Sequence, residues 1–227
     1  MNNNFSLSKS LSTRFFSHVY GWMSFGLMTT AIVSYFAATS PSFVTAIRGG
    51  LFWPLVIAQV AIVLYINFRL QAMSYTTAKI AFVAYSILTG LTLSTIFLVY
   101  TFSSIATVFF VCSAMFAFMA IYGHYTKSDL TSMGSYLTML LFGIILSSFA
   151  NMFFRNSMFE LMISVVGAVI FTLLTAYDAQ RIKMIAQDFN GSSEELAKFG
   201  IFGALTLYLN FINLFLELMR ILGKQKE

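Results

Sequence analysis

Charge is what this sequence has least of. Only 13 Lys and Arg and 8 Asp and Glu are spread over 227 residues, 9% of the chain, where soluble domains carry about 25%. So few charges cannot cover a water-exposed surface, which excludes a soluble globular domain. Cysteine is nearly absent as well. Cys112 stands alone, so no intrachain disulfide and no cysteine-based metal site can form. It lies in an apolar run and reads as a packed thiol. The two histidines, His18 and His124, are far apart in sequence and make no HExxH metal site. His124, at a loop boundary, reads as structural. Missing too are a GxxxxGK[ST] phosphate loop, a GxSxG nucleophile turn and an arginine ladder. No repeat motif and no low-complexity segment is present. The net charge is +5, but no basic patch with interleaved aromatics stands clear of the apolar runs, so nucleic acid is not an expected partner.

What is there is apolar. Hydrophobic residues make up 59% of the chain and the mean hydropathy is +0.82. A span needs about 20 apolar residues, and helix plus loop takes about 30 residues, so the length accommodates about seven spans. The expected spans are 19–38, 51–68, 80–100, 105–122, 136–154, 159–177 and 199–222. The chain is expected to be an all-α membrane protein in three parts: a cytoplasmic N-terminal segment (1–17), a single transmembrane domain (18–223) and a short basic tail (224–227). The first apolar run is too long for a signal peptide and has no small-residue cleavage site, so it reads as a retained span. The 26 Phe and 13 Met are packing or lipid-facing residues. Ser192-x-x-Glu195, after Asn190-Gly191, has capping-box spacing and predicts the start of the last helix.

Orientation follows from counting Lys and Arg. With the N-terminus inside, Lys9, Arg14, Arg69, Lys79, Lys127, Arg181, Lys183 and Lys198 lie inside, and only Arg48 and Arg155 lie in outside loops. The expected N-terminus is cytoplasmic. The tail residues Arg220, Lys224 and Lys226 break the rule if the last run spans fully, and a re-entrant last helix is the alternative.

Polar residues inside spans are expensive and persist where they face protein or water. In the last helix Thr206, Asn210, Asn213 and Glu217 are spaced +4, +3, +4, with Arg220 at +3. That spacing draws one stripe down a helix face, which predicts a helix turned inward. The stripe is either the lining of an ion or water path, or a set of interhelical hydrogen bonds with Glu217 paired to Arg220. Asp178 ends the sixth span. It is either an interfacial acid paired to Arg181 or Lys183, or the partner of Asn210, because an antiparallel hairpin centred near residue 194 brings 178 and 210 to similar depth. Arg69, closing the second span, is a snorkelling anchor or a counter-charge for Asp178. Gln59, one turn after Pro54, should bond within the bundle. Gly90, Thr92, Ser94 and Thr95, and Gly143, Ser147 and Ser148, read as small-residue helix contacts.

Two long motifs carry a resemblance. Tyr177-Asp178-Ala179-Gln180-Arg181-Ile182-Lys183 and Ala204-Leu205-Thr206-Leu207-Tyr208-Leu209-Asn210-Phe211-Ile212-Asn213-Leu214-Phe215 resemble the signature pair of the Bax inhibitor-1 family. Gly90-Leu91-Thr92-Leu93-Ser94 and Thr126-Lys127-Ser128-Asp129-Leu130 resemble its bacterial members. The resemblance covers nearly the whole chain. It implies a seven-helix fold with the last helix at the centre, placement in a bacterial inner membrane, and a pH-sensitive calcium leak. It also implies two aspartates that share a proton, one in each motif, and an arginine that engages the first. By motif the first aspartate is Asp178, and the arginine corresponds to Arg69.

The second family aspartate is here Asn210. An amide offers calcium a carbonyl oxygen but no charge, and Asp178 opposite an amide lacks the repulsion that sets a shared proton. The resemblance therefore implies a calcium or proton site at Asp178 and Asn210 with weakened calcium binding and an altered pH response. Glu217 lies about 10 Å along the helix from Asn210, too far to share the proton. Calcium is expected as a permeant or weakly bound ion, with no tightly held cofactor. Two other functions compete. One is a non-conducting membrane protein that modulates a membrane protease or a cell-death partner. The other, an intramembrane aspartyl protease, needs two carboxylates and a GxGD motif that the chain lacks, so no enzyme is expected.

Overall fold

A computed structural model describes residues 2–189 and 191–226, with side chains from Arg14 onward except Asp188. Lys9 of the N-terminal segment has its side chain outside the described residues, as Asn190 of the expected turn lies outside them entirely. The elements are α1 (Asn2–Thr39), α2 (Pro41–Ala46), a π-helical turn (Ile47–Leu51), α3 (Phe52–Arg69), α4 (Tyr75–Val99), α5 (Phe102–Tyr125), α6 (Thr131–Phe154), α7 (Ser157–Asp188) and α8 (Ser193–Leu222), with no strand among the described residues.

Local chemistry sets most of the boundaries. Ser40 is extended before Pro41, as the residue preceding a proline must be, and separates α1 from α2. Gly50 adopts φ 106° in the π-helical turn, a conformation that glycine alone takes without strain, and it kinks the run between α2 and α3. Ser74 and Thr101 cap α4 and α5 by accepting from Thr77 and Ser104 backbone N–H groups at 3.2 and 3.4 Å. The capping box forms as its spacing predicts: Glu195 Oε2 accepts from the Ser192 N–H at 2.9 Å, and Ser192 Oγ accepts from the Glu195 N–H at 3.2 Å.

Among the described residues, six helical runs are long and apolar enough to cross a membrane: 41–69, α4, α5, α6, α7 and α8. The first expected span, 19–38, falls in α1, which is not among them. Its apolar stretch is diluted by Ser24, Thr29, Thr30, Ser34 and Tyr35. Large apolar side chains point outward throughout, Phe68 being 81% exposed, as a lipid-facing surface requires. The chain is a multi-pass helical membrane protein.

The helices fall into two compact units. The first takes Met1–Tyr100 and Ala186–Tyr208, the second Thr101–Ile185 and Leu209–Glu227. In the first, α4 packs on α1. Gly90 sits where a Cβ would come within 2.8 Å of the Thr30 carbonyl, the small-residue contact its sequence suggested. Gln59 bonds as expected, donating to Thr92 Oγ1 at 3.1 Å. In the second, Phe109 and Phe116 stack edge-on against Phe211 at 5.4 and 5.5 Å, and the Cys112 thiol donates to the Phe211 carbonyl at 3.7 Å. Gly143 corrects its expectation: nothing lies within 4 Å of a Cβ built there. Only 11% of the apolar window of α6 is buried, and Gly143 lies on its open face.

α8 is the most buried of the six, with 67% of its apolar window covered against 6–44% for the others. Its first half belongs to one unit and its second half to the other.

Candidate functional site: a buried acid and amide

Asp178 does not end its helix. α7 continues to Asp188, eleven residues past the expected end of the sixth span, so Asp178 sits within the helix and is 6% exposed. Two glycines let neighbouring helices press against this segment. A Cβ on Gly123 of α5 would collide with the Ala176 backbone, and one on Gly134 of α6 would collide with the Tyr177 ring.

The partner inside is Asn210 of α8, itself 5% exposed. Its Nδ2 donates to Asp178 Oδ2 at 2.7 Å. This is the pairing that the hairpin register suggested. An ionised carboxylate can only accept, so the amide must turn its NH₂ toward it. The bond occupies one of roughly four acceptor positions of the carboxylate, which leaves capacity for a proton, a water or a cation. The interfacial reading is corrected: neither Arg181 nor Lys183 forms an ion pair with Asp178. Arg181 is exposed, and Lys183 Nζ donates to the His124 carbonyl at 2.8 Å.

The polar stripe of α8 divides. At about 100° per residue, steps of four and three turn about 40° one way and about 60° the other. Asn210 and Glu217 therefore fall toward one edge, Asn213 and Arg220 toward the other, and Thr206 between them. Asn210 and Glu217 are buried, Thr206 and Asn213 half-buried, Arg220 exposed. Thr206 donates to the Phe202 carbonyl at 3.0 Å and Asn213 to the Leu209 carbonyl at 2.8 Å, so both satisfy themselves within their own helix rather than across helices. Arg220 Nη1 lies 3.2 Å from Glu217 Oε2, the i, i+3 pair that the spacing suggested. Glu217 lies against Gly167 of α7, where a Cβ would come within 3.1 Å of its carboxyl carbon.

Arg69 closes α3 as an exposed residue of the first unit, as a snorkelling side chain does. Asp178 belongs to the second unit.

Two residues were missed from the sequence. Gln180 accepts from the Leu130 N–H and donates to the Ser128 carbonyl, both at 2.8 Å. Its amide thereby fastens the 126–130 loop onto the helix that bears Asp178. Asp129 in that loop is exposed, and hydrogen bonds from Thr131, side chain first and backbone second, hold its carboxyl below the usual range. It stays ionised at neutral pH. Tyr208 was the other miss. It is fully buried, its hydroxyl lies 2.6 Å from Thr30 Oγ1, and its ring meets Phe82 and Tyr85 at 5.8 Å. Both residues stand within the two motifs. Nothing in the spacing told their structural hydrogen bonds from functional ones.

Comparisons with known proteins identify the family. The family model described as Inhibitor of apoptosis-promoting Bax1 matches residues 12–227. The chain is 41% identical over 215 residues to Inner membrane protein YbhL of Escherichia coli (strain K12), covering 93% of this chain and 92% of the relative. It is 40% identical over 219 residues to an uncharacterized protein of Borreliella burgdorferi, covering 96% and 94%. Protein YrjE of Lactococcus lactis is 33% identical over 214 residues, covering 92% and 90%. A match across nearly the full length, including both motifs, makes the chain a member of the Bax inhibitor-1 family.

Proposed function

We propose that this protein is a passive cation leak, with calcium as the permeant ion, gated at Asp178. The observation that carries the reading is the buried carboxylate whose described hydrogen-bond partner is a neutral amide, at 2.7 Å. A buried charge left without a charged partner is costly. A proton, a passing cation or a guanidinium would each relieve it, and those are the three states a gate needs. Arg69 supplies the guanidinium: ionised Asp178 holds it, and protonation releases it, so acid opens the latch. The half-buried Thr206 and Asn213 with the buried Asn210 and Glu217 form the polar path along α8, the helix placed at the centre of a seven-span bundle that includes α1. The N-terminus is cytoplasmic and the membrane is the bacterial inner membrane. The protein catalyses no reaction and holds no cofactor tightly.

Asn210 sets this chain apart from the family pattern. With one carboxylate in place of two, calcium binds more weakly and no proton is shared across the pair. Reconstitution into liposomes loaded with a calcium dye tests the reading. Wild type should pass calcium, and Asp178→Ala should change both the rate and its pH dependence. Equal flux for the two proteins at every pH would remove Asp178 from the mechanism. Absent flux together with one reproducible crosslinked partner would favour the non-conducting, partner-modulating function.

A further inference from the structure

A cavity of about 390 Å³ lies far along the α7–α8 pair from Asp178, with Asn151, Met152, Arg155, Glu160 and Arg220 among its lining residues. It sits where α6 turns into α7. Both helices are long and apolar enough to cross a membrane, so the two-residue connection between them marks a membrane face. Met152 in the wall is exposed, and so are Phe153, Phe154 and Met158 on either side of the connection. The cavity is charged inside and flanked by residues suited to acyl chains.

The charges in its wall are unevenly committed. Arg220 is paired to Glu217. Arg155 and Glu160 make no ion pair or side-chain hydrogen bond among the described residues, although both line the same cavity. Arg155 is also the one described non-glycine residue with positive φ, at 51°. The sequence thus keeps an arginine at a left-handed helix end where glycine is the unstrained choice. The connection beyond it is fixed: Asn151 Oδ1 accepts from the Asn156 N–H at 3.0 Å, and Asn156 Oδ1 accepts from the Phe159 N–H at 3.0 Å. One unclaimed guanidinium and one unclaimed carboxylate, both on exposed residues, therefore extend from a fixed connection beside a shared space.

A lone anion there would face Glu160, and a lone cation would face Arg155. A zwitterion answers both. We infer that this cavity binds the headgroup of a phospholipid bearing a primary ammonium, its phosphate on Arg155 and Arg220 and its ammonium on Glu160. Guanidinium matches phosphate oxygens in a fork. A primary ammonium donates hydrogen bonds to a carboxylate, whereas a quaternary one has no N–H to give. The exposed Phe and Met beside the cavity select a membrane lipid over a free phosphate compound.

Native mass spectrometry of the full chain in detergent, with phosphatidylethanolamine, phosphatidylcholine and phosphatidylglycerol offered in turn, tests the assignment. Phosphatidylethanolamine should be retained about tenfold better than either other lipid, the difference one charge-assisted hydrogen bond makes. Arg155→Gly and Glu160→Gln should each erase that preference. Arg155→Gly suits the left-handed backbone, so its melting temperature in lipid-free detergent should match or exceed wild type, which separates lost binding from lost folding. Equal retention of the three lipids, or an unchanged preference in both variants, would overturn the site. Stabilisation by free phosphoethanolamine equal to that by the lipid would overturn the lipid as its source.

Discussion

At the scale of single residues, everything turns on an amide standing opposite a carboxylate. Asn210 cannot repel Asp178, and it cannot neutralise it. It can only solvate it, through the Nδ2 donor at 2.7 Å. Removing that donor strands a buried charge, which costs about 3 kcal/mol or more. Asn210→Leu should therefore lower the unfolding free energy in detergent by about that amount, and combining it with Asp178→Leu should recover most of the loss, since an apolar pair leaves nothing unsatisfied. A double-mutant cycle on thermal or denaturant unfolding measures the coupling directly. Tyr208→Phe is a milder case. Thr30 Oγ1 keeps its bond to the Ser86 carbonyl at 2.9 Å, so the expected cost is about 1 kcal/mol. At this scale the sequence was informative about Asp178 and Asn210, because two polar residues equidistant from a turn must meet in an antiparallel hairpin. It was silent about Gln180 and Tyr208. Each bonds a segment distant in sequence, and no spacing rule reaches that far.

At the scale of elements, two devices hold α7 in place. The first is close packing at Gly123, where a Cβ would enter the Ala176 backbone. Gly123→Ala should force α5 and α7 apart and destabilise by about 1–3 kcal/mol, readable as a lower melting temperature. The second is the Gln180 clamp. Gln180→Leu loses both 2.8 Å bonds to the 126–130 loop. Amide exchange at Leu130 should rise, and cleavage by trypsin after Lys127 should quicken, while the Asp178–Asn210 pair stays intact. The helices themselves were legible from hydropathy and caps, but α1, α4, α6 and α8 begin five or more residues before the expected spans, and the other large departure is the end of α7. That helix outruns its apolar window because Ala179, Gln180, Arg181 and Lys183 are good helix formers with no breaker among them, and hydropathy records lipid contact rather than helix. The polar stripe of α8 was legible as a stripe but not as two edges, since the alternation of four and three spreads it over part of a turn. The unequal burial of Asn210 and Asn213 appears only in coordinates.

At the scale of the whole molecule, the scarcity of charge dictates a membrane protein, and the family match over 12–227 agrees. Charge bias then orients it. A reporter fused before Met1 should lie on the cytoplasmic side, because Lys and Arg concentrate in the segments that the expected topology places inside. The central claim is that Asn210 in place of an acid changes how proton and calcium reach Asp178. The most direct measurement is calcium flux into dye-loaded liposomes across a pH series, wild type beside Asn210→Asp. Two carboxylates at this spacing repel and titrate as a coupled pair, so the restored acid should strengthen calcium binding and move the pH profile of the flux away from that of wild type, in which Asp178 titrates alone. Superimposable pH profiles for the two proteins would contradict the account.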